Sequence, residues 1–332
     1  MIISRTPFRI SFFGGGTDYP AWYRQHGGAV VAAAINRYCY LTCRYLPPFF
    51  THKYRIAYSQ METVNEIAEI KHPSVRACLQ YLQVKDGVEI HHDSDLPKQT
   101  GLGTSSSFAV GLLNVLHRLR RDHEVSGMEL AQEAIHVERE LCRENVGSQD
   151  QVTTAIGGLN RIDFLANGEI QAVPLCLSAE RVAAFEGHLM LFFTGFSRYA
   201  SEVVVEQLNN LGRKEKELHA MRAMVDQAVA VLQDPRADLK GIGTLLHESW
   251  SLKRELSSKI SSAAIDEIYA AARAAGALGG KLCGAGGGGF MLLFVEPEKQ
   301  AQMAQALRAL LRVPFALDFK GTQIIFEDKE ST

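Results

Sequence analysis

The stretch PKQTGLGTSSSF, residues 97–108, places two glycines and four consecutive hydroxyl side chains directly before an apolar pattern. Phe108, Leu112, Leu116 and Leu119 recur every three or four residues, which indicates an amphipathic helix. The N-terminus of such a helix presents unpaired N–H groups and a positive dipole, and both favour a bound anion. Helix capping alone would need a single hydroxyl residue. The sequence therefore predicts a loop that binds phosphate.

The composition is that of an ordinary globular protein, with 46% hydrophobic and 22% charged residues in a chain of 332. This length favours two domains. The formal net charge of -2 and the pI near 6.6 argue against nucleic acid or an anionic membrane as a partner. The longest apolar runs, at 28–35 and 290–295, are shorter than the ~20 residues of a membrane helix, and no signal-peptide pattern opens the chain. We expect a cytoplasmic protein, and a homo-oligomer is compatible with the sequence.

The cysteines suggest neither a disulfide framework nor a structural zinc site, because they are scattered and form no Cys-x-x-Cys pair. We expect all of them to be reduced and buried. They are Cys39, Cys43, Cys78, Cys142, Cys176 and Cys283.

The order of predicted elements indicates an α+β protein. The first ninety residues read as strands with one helix, and helices follow, the second of which begins with Ser126 as cap and Glu129 as its capping-box partner. A second unit opens with the apolar strand at 188–196. We predict helices at 73–84, 105–121, 126–144, 199–232, 239–257, 264–275 and 297–311, a glycine turn at 279–289, and late strands at 290–295 and 314–327.

Three glycine-rich segments compete as the phosphate site: FFGGGTDY at 12–19, GLGTSSS at 101–107 and GAGGGGF at 284–290. The third matches G-x-G-x-x-G, but a dinucleotide site needs a strand before that motif and a helix after it. Here the predicted order is a helix before and a strand after. No P-loop motif occurs. Only the segment 101–107 is a loop followed by a helix, so it is the predicted phosphate site. Because the segment 284–290 lacks the strand-then-helix context, NAD binding is disfavoured.

Together, the three segments resemble the three signature motifs of the GHMP kinase superfamily, the group of galactokinase, homoserine kinase and mevalonate kinase. The match runs through PFRISFFGGGTDYP at 7–20, LPKQTGLGTSSSFAVG at 96–111 and KLCGAGGGGFMLLF at 281–294. The GGGTD form of the first motif, with TGFSR at 194–198 and WSLKRELSSKIS at 250–261, is most similar to the bacterial heptose-phosphate and fucose kinase branch. Galactokinases have Glu-His where this chain has two glycines, which makes galactose a poorer candidate.

The resemblance implies a fold of two domains. Residues 1–185 would form an N-terminal α/β domain with the glycine-rich phosphate loop, and residues 186–332 a ferredoxin-like α+β domain that closes over it. The cofactors implied are ATP and Mg²⁺.

The resemblance also implies a role for each site residue. Asp150 would accept or orient the proton of the sugar hydroxyl, and Arg9 would face the charge that develops on the transferred phosphoryl group. Ser105 and Glu138 would bind the metal, with Glu140 as a rival one helix step away. The implied nucleotide-binding residues are Gly101, Leu102, Gly103, Thr104, Ser105 and Ser106, and the implied substrate-binding residues are Gly16, Thr17, Asp18 and Arg198.

For four of these side chains, the local sequence is also compatible with a purely structural role. A glutamate in the charged segment 136–144 is compatible with a solvated helix face. Asp150 could cap a turn and Asp18 could close an Asx-turn. Arg9 could be a charge at the edge of a strand.

The activity implied is a sugar 1-kinase that phosphorylates the anomeric hydroxyl of D-glycero-D-manno-heptose 7-phosphate, in the synthesis of nucleotide-activated heptose for surface polysaccharide. The alternatives are an L-fucose or other hexose 1-kinase, and a sugar-binding sensor without catalysis. A phosphorylated substrate would need its own cationic pocket, because two anionic groups repel unless each is neutralised. The candidates for that pocket are Arg37, Lys53, Arg55 and Arg198.

Overall fold

The computed structural model describes residues 1–121, 124–195 and 200–328. The strands are β1 (Ile2–Phe13), β2 (Gly28–Tyr45), β3 (Tyr54–Ala57), β4 (Met61–Val64), β5 (Val88–Ser94), β6 (Leu159–Phe164), β7 (Ile170–Pro174), β8 (Leu189–Phe193), β9 (Gly279–Leu282), β10 (Phe290–Phe294), β11 (Leu311–Arg312) and β12 (Gln323–Glu327). The α-helices are α1 (Pro20–His26), α2 (Pro73–Tyr81), α3 (Thr104–Leu119), α4 (Gly127–His136), α5 (Gln149–Ile156), α6 (Ala179–Gly187), α7 (Ala200–Asn210), α8 (Glu215–Gln233), α9 (Lys240–Glu255), α10 (Ala263–Ala274) and α11 (Gln300–Ala306).

The first half of the chain contributes seven strands, β1–β7, to a sheet of eight, and the eighth is the C-terminal strand β12. Its main path runs β12-β1-β2-β5-β3-β4, while β6 extends from β2 and β7 from β6. The pairs are antiparallel except β3 with β5. The alanine- and valine-rich half of β2 is fully buried, since β1 and β6 pair with it while helices cover the sheet. Small side chains there let α3 pack closely on β1 and β2.

The second sheet has four antiparallel strands in the order β11-β8-β10-β9. The chain runs from β8 through helices to β9 and β10, and then through α11 to β11. This is the β-α-β-β-α-β order of a ferredoxin-like unit with additional helices. The α+β fold class and the ferredoxin-like second half are therefore confirmed.

The division between residues 185 and 186 stays a prediction. It falls between α6 and β8, the point where the chain passes from the first sheet to the second. The C-terminal strand β12, however, returns to pair with β1 in the first sheet, and α8 packs on β1 and β2. A division by sheets would therefore assign residues 323–327 to the first half.

The predicted helix at 126–144 is wrong in its second half. Ser126 and Glu129 form the expected reciprocal capping box. The α-helix ends at His136, and a π-helical turn follows at Val137–Leu141, in which the N–H of Cys142 donates to the carbonyl of Val137 at 2.9 Å. The wider turn changes which side chains point inward, and such turns are frequent at functional sites.

Other predicted boundaries also differ. The run at 199–232 is two helices, because a 3₁₀ turn at Leu211–Arg213 and the non-helical Lys214 separate α7 from α8. The helix at 297–311 ends at Ala306 after a 3₁₀ start. The predicted glycine turn at 279–289 begins as a strand, β9, which lies between helix α10 and the glycines at 284–289, so these glycines connect two paired strands. With β10 after it, the segment still lacks the helix that a dinucleotide site requires.

The cysteines are all free, as predicted, but not all are buried. Cys142 is half-buried and Cys176 is exposed, so the prediction was wrong for these two. Cys176 follows the short strand β7 in the connection to α6, and this connection lies at the surface. Across the described residues, none of the helices combines the length and the apolar character needed to cross a bilayer.

Two glycine loops from the two halves of the chain touch through their backbones. A Cβ on Gly284 would lie 2.4 Å from Cα of Gly101, and a Cβ on Gly289 would lie 2.2 Å from the carbonyl oxygen of Thr100. Both glycines have φ in the left-handed region, at +69° and +102°. No other residue type fits at either position without moving a backbone segment. The glycines therefore bring the second unit against the predicted phosphate loop.

Gly284→Ala should separate these loops and lower the free energy of unfolding by about 2 to 5 kcal/mol, since steric overlap adds to left-handed strain. Gly168→Ala is a matched control, because Gly168 has φ +92° but no neighbour within 4 Å of its would-be Cβ. The free energy of unfolding of the control should fall only by the cost of the left-handed backbone, about 1 to 2 kcal/mol. Guanidinium denaturation measures both, and equal losses would contradict the role of the loop contact.

Candidate active site

The predicted phosphate loop has the geometry that an anion site requires. Gly101 and Gly103 adopt left-handed φ of +81° and +73°, and Gly103 precedes the first residue of α3 without a side-chain cap. The loop is fixed to the first sheet, since the N–H of Arg9 donates to the carbonyl of Leu102 at 3.0 Å. Ser107 is buried and donates to the carbonyls of Pro7 and Gly103. The open helix end, with its unpaired N–H groups and dipole, fits a nucleotide phosphate.

Arg9 and Asp150 form a bidentate ion pair directly beside this loop. Nε and Nη2 of Arg9 lie 2.7 Å from Oδ1 and Oδ2 of Asp150, and Nη1 donates to the carbonyl of Gly101 at 2.7 Å. A Cβ on Gly103 would lie 3.0 Å from Cγ of Arg9 and 3.5 Å from Oδ2 of Asp150. The pair therefore borders the place where a phosphate would sit on the helix end.

Two of the local readings fail for this pair. Arg9 pairs with β2 on one side and its N–H donates to the carbonyl of Leu102, while its side chain is buried against Asp150, so it is not a solvated charge at a strand edge. Asp150 lies in the first turn of α5, but its carboxylate faces Arg9 instead of capping a turn.

Glu138 lies almost completely buried in a group of hydrogen-bond donors. Ser105 donates to Oε1 at 2.9 Å, and Ser106 and Gln151 donate to Oε2 at 2.8 and 2.5 Å. Burial raises the pKa of Glu138 to about 7, against these hydrogen bonds, which lower it. Glu140, by contrast, is exposed. Residues two apart point to nearly opposite sides of a helix, so Glu138 continues the buried face of Leu130 and Ala134 while Glu140 stays on the surface.

The oxygen donors around Glu138 are of the kind that Mg²⁺ prefers. Within the described residues there is no group of three or more His, Cys, Asp or Glu side chains that could hold a metal ion by themselves. Mg²⁺ is commonly bound by one or two carboxylates together with substrate phosphates. Ser105 and Glu138 next to a phosphate loop fit that mode.

The predicted substrate residues have different environments. Asp18 is 1% exposed, accepts from the N–H of Gly16 at 3.0 Å, and has a pKa raised by burial and by the charge of Asp150. Thr17 is completely buried and its hydroxyl bonds the carbonyl of Gly14 and the backbone of Ala29, so this side chain stabilises the turn from inside. Arg198 lies outside the described residues.

The other candidates for a substrate-phosphate pocket are not brought together. Arg37 donates to the carbonyls of Asn36 and Pro314. Arg55 pairs with Glu89 at 3.3 Å, and Lys53 is exposed. These contacts give the three residues separate structural surroundings and no common pocket.

Sequence reasoning missed two buried lysines behind the site. Lys281 donates to the carbonyls of Ser11 and Phe12 at 2.7 and 3.1 Å, and Lys253 donates to the carbonyl of Gly284. Burial lowers the pKa of Lys281 to about 7 and that of Lys253 to about 8. In the described part of the chain neither forms an ion pair. The only signal in the sequence was that each lies inside a quoted motif.

Comparison with known proteins agrees with this geometry. The model of the GHMP kinase N-terminal domain matches residues 68–158, and the model of the C-terminal domain matches residues 227–313. A D-glycero-alpha-D-manno-heptose 7-phosphate kinase from Campylobacter jejuni is 30% identical over 317 residues, which are 92% of this chain and 93% of that protein. The chain belongs to the GHMP kinases. It is therefore an ATP-dependent phosphotransferase with a hydroxyl group as acceptor.

More distant relatives and solved structures show how widely this GHMP kinase fold is shared. A bifunctional fucokinase/GDP-fucose pyrophosphorylase from Arabidopsis thaliana is 27% identical over 95% of this chain, but the match covers only 31% of that protein. The structure of a D-glycero-D-manno-heptose 1-phosphate kinase from Bacteroides thetaiotaomicron superposes with a TM-score of 0.81 at 22% identity, over 99% of this chain and all of that one. The second similarity concerns the fold alone.

Proposed function

We propose that this kinase transfers the γ-phosphoryl group of ATP to the anomeric hydroxyl of D-glycero-D-manno-heptose 7-phosphate, with Mg²⁺ as cofactor. The observation that carries the proposal is the Arg9–Asp150 pair held against Gly103 of the phosphate loop. A phosphoryl transfer site needs a group for the acceptor hydroxyl next to a group for the developing charge. This pair supplies both at the mouth of the loop.

Asp150 is the proposed catalytic residue that orients the acceptor hydroxyl. Its carboxylate is partly exposed while Arg9 beneath it is buried, so an acceptor can reach the carboxylate from the open side. Arg9 would hold the carboxylate in place through its two hydrogen bonds. The same guanidinium would stabilise negative charge on the transferred group, because charges in a water-poor site act strongly.

Ser105 and Glu138 are the proposed metal ligands. These two side chains would hold Mg²⁺ beside the phosphate loop, and the ion would supply positive charge against the charge that develops in the reaction. The hydroxyls of Ser105 and Ser106 hold the Glu138 carboxylate at the start of α3, where phosphates would lie. Gln151 fixes the same carboxylate from α5, one residue from Asp150. This one carboxylate therefore links the metal position to the catalytic aspartate.

The heptose phosphate is favoured as acceptor by the Campylobacter jejuni relative, which is named for it and matches along nearly all of both chains. The fucokinase relative supports an L-fucose or other hexose 1-kinase as the second candidate. A catalytically silent sugar sensor is disfavoured, because it would have no use for the Arg9–Asp150 pair or for a buried glutamate at the phosphate loop. The solved heptose 1-phosphate kinase differs in name from the 7-phosphate kinase, so the position of the new phosphate must be measured.

Kinetics on four sugars test the acceptor. We expect the highest kcat/KM with D-glycero-D-manno-heptose 7-phosphate, and lower values with the unphosphorylated heptose, L-fucose and galactose. Loss of the 7-phosphate should reduce kcat/KM by about tenfold or more, since a charge-assisted hydrogen bond contributes about 1.5 to 3 kcal/mol. Phosphorus NMR should place the product phosphate on carbon one. A preference for L-fucose would overturn the heptose proposal and leave the kinase activity unaffected.

Asp150→Asn tests the catalytic residue. The amide keeps the shape but cannot accept a proton, so kcat should fall by about 10² to 10⁴ while calorimetry still detects sugar and nucleotide binding. Asp163→Asn is the matched control, because Asp163 forms a similar bidentate pair with Arg161, at 2.7 and 2.9 Å, on β6. A comparable loss of kcat in both variants would point to stability instead of catalysis.

Glu138→Gln and Glu140→Gln test the metal site as a pair. We expect Glu138→Gln to raise the Mg²⁺ concentration needed for half-maximal rate by about tenfold, because the ion loses a charged oxygen ligand. Glu140→Gln should leave that concentration unchanged, since Glu140 is exposed. The reverse result would move the proposed metal ligand to Glu140.

A further inference from the structure

Two buried polar groups beside the glycine turn at 14–16 have no hydrogen-bond partner within the described residues. They are Oγ of Ser11 and Oε1 of Gln149. Ser11 is 6% exposed and Gln149 is 8% exposed, so water does not reach them freely. An unpaired buried polar group is costly and calls for an explanation, such as a ligand that is absent from the structure.

The side chains of both residues approach the same point, next to Gly15, Ser11 with its hydroxyl and Gln149 with the nitrogen of its carboxamide. A Cβ on Gly15 would lie 3.4 Å from Oγ of Ser11 and 3.7 Å from Nε2 of Gln149, with nothing else within 4 Å except these two side chains. The space beside Gly15 is therefore bordered by a hydroxyl and a carboxamide. Sugar hydroxyls both donate and accept hydrogen bonds, and these two groups complement them.

The position of this space relative to the proposed catalytic groups is fixed by the chain. Ser11 follows Arg9 by two residues on β1, so both side chains lie on the same face of the strand. Gln149 precedes Asp150 in the first turn of α5, and its N–H approaches Oδ2 of Asp18 at 3.4 Å. Lys281 holds the carbonyl of Ser11 at 2.7 Å, which fixes the strand at this point.

Gly15 differs from the two glycines around it. Gly14 and Gly16 have left-handed φ of +77° and +105°, and a Cβ on Gly14 would lie 1.9 Å from the carbonyl oxygen of Ala29. Gly15 has neither a left-handed φ nor a contact shorter than 3.4 Å. The turn would therefore accept a side chain at position 15. Because glycine has no side chain, a space remains beside the backbone at this position.

We propose that Ser11 and Gln149 are specificity-determining residues that bind a hydroxyl group of the acceptor sugar in the space beside Gly15. This inference rests on the proposed sugar kinase activity and names side chains of its acceptor site. The sugar hydroxyl forms one hydrogen bond with the carboxamide of Gln149 and a second with Oγ of Ser11. Both orphaned groups are thereby satisfied when the acceptor binds.

The test combines residue variants with deoxy sugars in a thermodynamic cycle. Ser11→Ala and Gln149→Met should each lower kcat/KM for the sugar by about tenfold, the loss of one hydrogen bond, and leave KM for ATP unchanged. For wild-type enzyme, one monodeoxy analogue of the preferred sugar should show a similar loss. The variants should no longer distinguish that analogue from the parent sugar. Equal discrimination of every analogue by wild type and both variants would overturn the proposal.

Stability measurements separate binding from folding. Ser11→Ala removes no protein hydrogen bond, so the urea midpoint should stay equal or rise. Ser4→Ala is the matched control on the same strand, because the buried Ser4 hydroxyl donates to the carbonyl of Gly111 at 3.1 Å. The control should lower the midpoint and leave sugar kinetics unchanged. A lower midpoint in Ser11→Ala with unchanged sugar kinetics would mean that Ser11 is structural, against the proposal.

Gly15→Ala tests the space itself. The methyl group should raise KM for the sugar by about tenfold or more and keep KM for ATP and the urea midpoint, because the backbone tolerates alanine. Unchanged sugar kinetics would overturn the proposal. All experiments use whichever sugar the wild type phosphorylates best, so a result against the heptose leaves them intact. Absence of turnover with every sugar would instead reject the proposed function.

Discussion

The structure depends on one close contact, where the backbone of Gly284 lies against the backbone of Gly101. Side chains are excluded from this contact, so the distance between the two loops is set by peptide groups alone. Arg9 reaches the carbonyl of Gly101 from the first sheet, and Lys253 reaches the carbonyl of Gly284 from α9. The phosphate loop is therefore held by both halves of the chain. A rigid loop suits a site whose function is to position charged groups.

The charges around this contact are arranged for an anionic ligand. Three buried cationic side chains lie near this contact. Among the described residues, Arg9 pairs with a carboxylate, whereas Lys253 and Lys281 donate hydrogen bonds to backbone carbonyls. Burial lowers the pKa of both lysines, because a buried environment disfavours the charged form of an amine. A polyanion nearby would favour the charged forms. In the proposed function, a bound nucleotide would therefore add the charge of these lysines to that of Arg9.

The sequence predicted the structure best where a feature is formed by consecutive residues of the chain. The phosphate loop, the start of α3 and the capping box at Ser126 follow from local patterns, and each was found within a residue or two. It was uninformative where geometry departs from ideal helices. The π-helical turn at Val137–Leu141 breaks the 3.6-residue period, so Leu141 is exposed although the spacing from Leu130 and Ala134 would place it inward. The sequence also does not reveal that the Thr17 side chain is buried inside its turn, and its substrate role stays a prediction.

The acceptor site was harder to read for a related physical reason. A phosphate is recognised by N–H groups and glycines, which follow one another in the chain and leave a visible motif. A sugar is recognised by side chains that only the folded structure brings together, and in the proposed acceptor site these come from β1, the glycine turn and α5. Ser11 and Gln149 are separated by more than a hundred residues, and neither residue type is unusual at its position. A superfamily built on three glycine segments can therefore keep one phosphate site while changes at a few scattered side chains give it different acceptors.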